Sequence, residues 1–277
     1  MEFTEVLYDV SDKIATVTLN RPDKLNAWTS TMDRQYRRAM ADAESRDDVR
    51  VIIVTGAGKG FCAGADMGLL QAIGSDNATV GGNGSGEPLA EPGLKNNPRA
   101  DFRAHYSWPP SVHKPIIAAI NGAAAGLGFV HALYCDMRFA SDTAKFTTAF
   151  AQRGLIAEYG LAWLLPRVVG MHNAMDLLLS ARVIKADEAH SMGLVGKVFP
   201  HNDLMPAVRE YAKQLTTLSS PRSHAVMKRQ VWDAQFTDLA SALDLAEKEM
   251  LESLACSDFR EGVASFVEKR APQFTGK

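Results

Sequence analysis

The sequence predicts an α/β fold with mainly parallel strands, followed by a C-terminal region built only from helices. Strand and helix patterns alternate through the first part of the chain, as is typical of parallel sheets. The strand at residues 51–55 is continuously apolar, so both of its faces need cover. Beyond Leu204 the apolar residues have helical spacing. We therefore divide the chain into a core, 1–200, and a helical region, 201–277.

Local patterns define the elements before residue 75. Alternating β-branched residues indicate strands, apolar residues at helical spacing indicate helices, and clustered glycines indicate loops. In chain order the prediction is a strand at 13–19, a loop at 20–26, a helix at 29–44 capped by Thr29 or Ser30, a strand at 51–55, a glycine-rich loop at 56–66 and a helix over 66–73.

The later part of the chain continues this order and then becomes helical. The helical tail is too thin to form a core alone, so we expect it to pack on the α/β part or on a neighbouring subunit. In chain order the prediction is a strand at 116–120, a glycine turn, a helix from about Leu127, a strand at 137–140, an extended piece at 145–149, and helices at 206–217, 223–235, 239–255 and 259–269.

The composition argues against a strongly charged partner. Hydrophobic residues make up 46% of the chain, charged residues 22%, and the formal net charge is -2, which disfavours nucleic acid and anionic membranes. Cys62, Cys135 and Cys256 show neither a CxxC pair nor metal-ligand spacing. We therefore expect buried free thiols, no metal site and a cytoplasmic protein. An acidic N-terminus without a signal-peptide pattern agrees with that location.

A mostly apolar run at 115–134 contains the GxxxG pattern of membrane helices. Asn121 and His131 interrupt the run, and its glycines would weaken a single helix. A strand followed by a separate helix explains the run better, so we expect no membrane span.

Two glycine-rich junctions suggest a site for developing negative charge. One follows the strand at 51–55 and the other follows the strand at 116–120. A helix that begins at such a junction leaves unpaired backbone N–H groups and the positive end of its dipole aimed at one point. Donors of this kind can stabilise an oxyanion. Nucleotide binding is disfavoured, because Phe61 stands where GxGxxG needs its third glycine and the P-loop spacing is missing.

Six segments, in this order, resemble the enoyl-CoA hydratase/isomerase (crotonase) superfamily over nearly the whole chain. The resemblance implies a crotonase-like spiral of ββα units with a C-terminal helical trimerisation region, and so a homotrimer or a dimer of trimers. It also implies an acyl-CoA thioester substrate, with CoA as part of the substrate and no other cofactor, and a thioester enolate held by two backbone N–H groups. The segments are 20–26 (NRPDKLN), 61–66 (FCAGAD), 114–122 (KPIIAAING), 135–138 (CDMR), 144–146 (AKF) and 192–195 (MGLV).

By this resemblance the N–H groups of Ala65 and Leu127 form the oxyanion hole. The family usually has glycine at the second position, so the Leu127 side chain must point away from the thioester. The implied CoA contacts are Lys24, Leu25 and Ala27 for pantetheine and phosphates, Ala63, Asp66 and Met67 around the adenine, and Phe266 and Lys269 towards the CoA of a neighbouring subunit.

The catalytic positions depart from those of the family's hydratases, which use two glutamates. Val130 and Phe150 stand there instead, and with Tyr159 they are predicted to line the acyl pocket. Glu158 lies in an uncharged stretch, at the position of the sole catalytic carboxylate in some isomerases of the superfamily. Burial there would raise its pKa, as proton transfer requires. The prediction is isomerisation of a 3-enoyl-CoA, with Glu158 moving a proton from C2 to C4.

Other hypotheses stay open. A hydratase could use Glu158 alone to activate water, and a non-catalytic member could bind acyl-CoA without turnover. Glu158 could also be a structural anion at a helix N-terminus. Dehalogenation is disfavoured, because the related dehalogenases use an aspartate at this position. His105, Tyr106 and Trp108 are candidates for the acyl pocket or for core packing, and 74–98 for a surface loop or a lid.

Overall fold

The computed structural model describes residues 2–68, 71, 94 and 97–277. The strands in this part of the chain are β1 (Val6–Ser11), β2 (Ile14–Leu19), β3 (Val51–Gly56), β4 (Gly60–Cys62), β5 (Ile116–Ile120), β6 (Ala123–Ala125), β7 (Met137–Ser141), β8 (Lys145–Thr147), β9 (Ile184–Lys185) and β10 (Lys197–Phe199). The helices are α1 (Ser30–Ser45), α2 (Leu127–Tyr134), α3 (Leu161–Ser180), α4 (Ala186–Ser191), α5 (Leu204–Leu218), α6 (Pro221–Asp233), α7 (Leu239–Ala255) and α8 (Ser257–Glu268).

The larger sheet has six strands in the order β1-β2-β3-β5-β7-β10. All its pairs are parallel except β1 with β2. Strand β3 is buried along its whole length, as its continuous apolar sequence predicted. The α/β class with mainly parallel pairing is confirmed.

Strand β1 was missed by the sequence analysis. It forms a hairpin with β2 through Asp12 and Lys13, whose φ angles are 54° and 62°. Two consecutive residues at positive φ are the geometry of the tightest hairpin turn, which glycine or asparagine usually forms. Because an Asp-Lys pair is not a typical turn signal, the sequence pattern gave no indication of this hairpin.

A second sheet has the order β4-β6-β8-β9. Its strands β4 and β6 lie where the sequence analysis predicted glycine loops, β8 lies in the predicted extended piece, and β9 was not predicted. Strands β4 and β6 have three residues each and pair in parallel, with Gly60 opposite Ala123. The segments that follow β4 and β6 therefore leave the sheet at the same edge. The predicted oxyanion donors, the N–H groups of Ala65 and Leu127, belong to these two segments.

Helices cover both faces of the larger sheet. Buried residues of α1, including Met32, Tyr36 and Met40, belong to the main hydrophobic core. On the other face, α5 packs Leu204, Val208 and Ala212 against Ile14, Val51 and Ile53. The first helix of the C-terminal region thus packs on the sheet of the same chain.

Most predicted helices are present with shifted ends. Of the two predicted caps, Thr29 is the one that caps α1, by accepting a hydrogen bond from the N–H of Met32. Helix α3 is far longer than its apolar start suggested and is broken at Gly170, where φ is 78°. Of the helix predicted at 66–73, the structure describes Asp66, Met67, Gly68 and Gln71; the remainder, and nearly all of 74–98, lie outside the described residues.

Two further expectations concern membranes and cysteines. Among the described helices, none is both long and apolar enough to cross a membrane. Cys62 and Cys135 are free and buried, while Cys256 is free and partly exposed.

Candidate active site

The two glycine-rich junctions meet at one edge of the second sheet. Gly64 follows β4 with φ of 101°, and Gly126 follows β6 with φ of 50°. A Cβ atom built on Gly64 would lie 3.0 Å from the carbonyl oxygen of Ala125 and 3.8 Å from the Cα of Gly126. The two turns therefore pack backbone against backbone, which brings the predicted donors on Ala65 and Leu127 to the same edge of this sheet.

The N–H of Ala65 is oriented by a short bridge to Trp28. The N–H of Trp28 donates to the carbonyl of Gly64 over 2.7 Å, and the N–H of Asp66 donates to the carbonyl of Trp28 over 2.9 Å. These two bonds use the groups on either side of Ala65. In a parallel bridge the N–H between them faces the opposite side, so that of Ala65 is directed away from Trp28.

The N–H of Leu127 is the first of helix α2, where no carbonyl within the helix can accept it. The Leu127 side chain is only 5% exposed and belongs to the main core, so it is packed away from solvent. A Cβ atom on Gly128 would lie 2.1 Å from the carbonyl oxygen of Cys62. Only glycine lets the first turn of α2 approach β4 this closely.

The predicted CoA contacts from the first half of the chain lie around the same loop. Lys24 and Leu25 are exposed in a turn, and the N–H of Ala63 donates to the carbonyl of Leu25 over 3.0 Å. Met67 is 61% exposed. These side chains are accessible to a bound ligand.

Arg21, which the sequence analysis did not single out, holds two of these positions together. One guanidinium nitrogen, Nη1, donates to the carbonyl of Ala27 over 2.6 Å and to the carboxylate of Asp66 over 2.9 Å. This hydrogen bond and one from the N–H of Gly68 lower the pKa of Asp66. The ionised carboxylate of Asp66 thus stabilises this loop through its salt bridge with Arg21.

The remaining two predicted CoA contacts lie at the end of α8. The side chain of Phe266 is 85% exposed, and Lys269, also exposed, ends the helix with φ of 55°. Because both side chains are exposed on a single chain, they are accessible to a neighbouring subunit.

Glu158 lies in the wall of a cavity of about 600 Å³. Tyr159 and two of the three uncertain candidates, His105 and Tyr106, line the same cavity. The third, Trp108, is buried in the core against Tyr36, with ring centroids 5.6 Å apart. Six aromatic side chains contribute to the wall, which suits a flat, unsaturated group. The aromatic lining residues are Phe102, Tyr106, Tyr134, Tyr159, Trp163 and Phe236.

Val130 and Phe150, predicted to line the acyl pocket, are buried in the main core. Val130 is 0% exposed and Phe150 is 6% exposed, and neither belongs to the lining of this cavity. Their positions, where the hydratases of the family carry glutamates, therefore supply no carboxylate.

A tight turn presents Glu158 to the cavity. Tyr159 adopts φ of 54°, which is rare for a bulky residue, and Gly160 adopts 77°. The hydroxyl of Tyr134, in the last turn of α2, donates to the carbonyl of Tyr159 over 2.9 Å. A Cβ atom on Gly160 would lie 2.7 Å from that hydroxyl oxygen. Tyr134 and Gly160 together hold the strained turn in place.

Burial raises the pKa of Glu158, and hydrogen bonding to Tyr159 offsets part of that shift. The N-cap of α3 is Gly160, and it is the carbonyl of Glu158, not its side chain, that accepts from the N–H of Leu161. The carboxyl group therefore does not cap the helix, and its raised pKa is typical of a group that exchanges protons.

Replacing Tyr134 by phenylalanine is expected to lower both stability and turnover. The substitution removes the hydrogen bond to the carbonyl of Tyr159, which should cost about 1 kcal/mol of unfolding free energy. It also frees the strained turn, so kcat should fall several-fold. Urea unfolding and steady-state kinetics measure the two effects. Tyr211→Phe is the matched control, because its hydroxyl donates to the sulfur of Met137 beside the larger sheet, away from the cavity. A Tyr134→Phe protein with unchanged kcat would contradict the positioning role.

A line of ring contacts joins the Ala65 bridge to the Glu158 turn. The Trp28 ring stacks on His131 with centroids 3.9 Å apart, His131 contacts Tyr106 at 5.5 Å, and Tyr106 contacts Tyr159 at 4.5 Å. Complete burial lowers the pKa of His131 to about 4, so its ring is neutral at pH 7.

His131 should make the protein acid-sensitive. Its pKa is about 4 in the folded protein and 6.5 in its ordinary state. Between these values the unfolded chain binds a proton that the folded chain does not, so stability falls as pH is lowered from 6.5 to 4. The expected loss is about 3 kcal/mol. Urea unfolding at pH 7 and pH 4 measures it, and His131→Phe should remove that part of the loss. Equal losses in the two proteins would contradict it.

The chain belongs to the enoyl-CoA hydratase/isomerase family, of the crotonase superfamily. The sequence profile of that family matches residues 9–277. The fold agrees: a putative enoyl-CoA hydratase from Streptomyces coelicolor A3(2) superposes with a TM-score of 0.85 at 31% identity, over 100% of this chain and 96% of that one. An enoyl-CoA hydratase from Mycobacterium tuberculosis H37Rv superposes with 0.83 at 28% identity, over 99% of both chains.

Two curated relatives carry different reaction names. The 1,2-epoxyphenylacetyl-CoA isomerase of Escherichia coli K12 is 35% identical over 100% of both chains. A probable enoyl-CoA hydratase of Rhodobacter capsulatus is 36% identical, also over 100% of both chains. The family acts on acyl-CoA thioesters, and membership identifies the protein as an enzyme of that kind.

Proposed function

We propose that this enzyme isomerises enoyl-CoA thioesters with Glu158 as its sole acid/base. The observation that carries the proposal is the distribution of carboxylates. Glu158 lies in the cavity wall with a pKa raised by burial, whereas buried Val130 and Phe150 occupy the two positions that hydratases of the family use. One carboxylate is enough to move a double bond, because the group that removes a proton can return it elsewhere.

In the proposed reaction the thioester oxygen accepts hydrogen bonds from the N–H groups of Ala65 and Leu127. Glu158 removes a proton from C2 of a 3-enoyl-CoA, and the C–H electrons form a dienolate whose negative charge is held by these two donors. The same carboxyl group then protonates C4, and the double bond moves from C3–C4 to C2–C3. The carboxylate is regenerated, so proton and charge balance.

The CoA part is proposed to lie along Lys24, Leu25, Ala27, Ala63, Asp66 and Met67, with Phe266 and Lys269 serving a neighbouring subunit. A homotrimer or a dimer of trimers would also cover apolar side chains that are exposed on a single chain. In α7 and α8 these include Leu239 at 75%, Leu251 at 60% and Val267 at 72% exposure. Light scattering coupled to size-exclusion chromatography measures this assembly.

The reaction is tested with 3-hexenoyl-CoA and 2-hexenoyl-CoA in deuterated water. Isomerisation with deuterium entering C2 or C4 is the expected result. Formation of 3-hydroxyhexanoyl-CoA would instead indicate a hydratase that uses Glu158 to activate water. Binding of both thioesters without conversion, repeated over several chain lengths and ring-bearing acyl groups, would indicate an acyl-CoA-binding protein.

A further inference from the structure

Helix α1 buries two charged side chains in its apolar face. Asp33 and Arg37 are each 2% exposed, although their neighbours Met32, Tyr36 and Met40 form part of the core. The two are four residues apart, and Nε of Arg37 lies 3.0 Å from Oδ2 of Asp33. Burying an ion pair costs desolvation that a pair of apolar side chains would not, so its presence here needs a reason.

The buried ion pair contacts a residue of the cavity, His105, and this contact gives a reason for the burial. Nε2 of His105 lies 3.3 Å from the same oxygen, Oδ2 of Asp33, and the His105 ring lines the cavity that contains Glu158. The contact is too poorly aligned for a good hydrogen bond, so it is mainly electrostatic. The ring is also held edge-on to Tyr106, with centroids 4.3 Å apart at 86°.

Asp33 stays charged despite its burial. Desolvation alone would raise the pKa of this carboxyl group, but the nearby imidazole of His105 and the guanidinium of Arg37 outweigh it, and the net shift is downward. A fixed carboxylate beside Nε2 selects the proton position and the orientation of the ring. Because Nε2 lies against Asp33, we take Nδ1 as the ring nitrogen that a ligand in the cavity would contact.

We propose that His105, oriented by Asp33, is a specificity-determining residue that hydrogen-bonds a hydroxyl group on the acyl part of the substrate. This rests on the proposed function, since it takes the cavity as the acyl site. A hydroxyl group fits either state of the ring: it donates to Nδ1 of a neutral imidazole and accepts from Nδ1–H of an imidazolium. The aromatic wall suits a ring as the carrier of that hydroxyl.

Two hydroxyl groups in the lining of the cavity are already engaged. The hydroxyl of Ser107 donates to the carbonyl of Asp101, and that of Tyr134 donates to the carbonyl of Tyr159. A purely hydrocarbon acyl group in the cavity would leave His105 facing apolar atoms without a hydrogen-bond partner from the substrate. A site built to hydrogen-bond a hydroxyl rejects analogues that lack it more strongly than an apolar site rejects an added one.

The test is calorimetric binding of phenylacetyl-CoA and of its 2-, 3- and 4-hydroxyphenyl analogues. The best hydroxylated analogue is expected to bind wild-type protein about tenfold more tightly than phenylacetyl-CoA. In His105→Leu this preference should vanish while the affinity for phenylacetyl-CoA changes little. His105→Gln, which keeps a donor and an acceptor, should restore part of it. Ser107→Ala is the matched control on the same wall and should keep the preference.

Two outcomes would overturn the proposal. One is equal binding of all four thioesters to wild-type protein. The other is an equal loss of affinity for all four in His105→Leu, which would mean that His105 only packs the cavity. Asp33→Asn, with thermal unfolding measured to confirm folding, should reduce the preference in the same direction as His105→Leu; an unchanged preference would exclude the role of Asp33. Failure of every thioester to bind would instead refute the acyl site itself.

Discussion

Replacing Glu158 by glutamine is expected to lower kcat for isomerisation about 10³-fold, the range of a lost general acid/base. Glutamine has the size and hydrogen-bonding groups of the carboxyl group but cannot take up the C2 proton. The turn should persist, because the hydrogen bond from Leu161 uses the backbone carbonyl of residue 158. KM and the affinity for the CoA product should therefore change little. Deuterium incorporation at C2 and C4, measured alongside turnover, should be lost with it.

The control is Glu247→Gln, which neutralises an exposed carboxylate on α7. Its kcat should equal that of the wild-type enzyme. If Glu158→Gln kept near-normal turnover, proton transfer through this residue would be excluded, and so would the hydratase alternative that depends on it.

The second large effect is expected at Leu127, whose backbone N–H is the proposed oxyanion donor. Proline is well tolerated at the first position of a helix and has no N–H. Leu127→Pro should therefore keep α2 but remove one oxyanion donor, which lowers kcat by about 10²-fold or more. The preceding residue, Gly126, has φ of 50° and ψ of -118°, a conformation that glycine adopts readily. Because glycine has no side chain, it has no Cβ to clash with the proline ring.

Leu127→Ala separates the donor from the side chain. Both variants lose the buried leucine side chain, at a cost of about 2–5 kcal/mol of stability, but only alanine keeps the N–H. The comparison is made at a temperature where circular dichroism shows both proteins folded. Equal kcat values for the two variants would show that this N–H does not stabilise the transition state.

The sequence predicted best those elements whose apolar pattern matches their burial in the fold. The strand Ile116–Ile120 and the helix beginning at Leu127 are present at the predicted residues, because a glycine turn separates two apolar runs. The strands β4 and β6 were missed, since three residues cannot establish a period of two. The β1 hairpin was missed because its turn residues, Asp12 and Lys13, lack the glycine that usually accompanies aspartate in such a turn.

The candidate site was predictable where one residue stood out from its surroundings. Glu158 did so as a charge in an uncharged stretch, and the structure places it in the cavity wall. The aromatic wall was not predictable, because Phe102, Tyr134, Trp163 and Phe236 come from four distant segments. Asp33 was also overlooked, since a charged residue in an amphipathic helix is normally assigned to its exposed face.

Helix α2 connects the two halves of the candidate site, and its length sets the distance between them. Its first residue carries the N–H proposed to bind the thioester oxygen, and its last, Tyr134, donates to the turn that carries Glu158. Eight residues at 1.5 Å per residue set the separation, about 10 Å from first to last Cα. Inserting one residue would lengthen the helix by about 1.5 Å and rotate its last residue by about 100° about the helix axis. If Glu158 transfers the proton as proposed, the number of residues in this helix helps to decide which carbon it reaches. We therefore expect insertions and deletions in the helix to impair turnover more than substitutions of its side chains do.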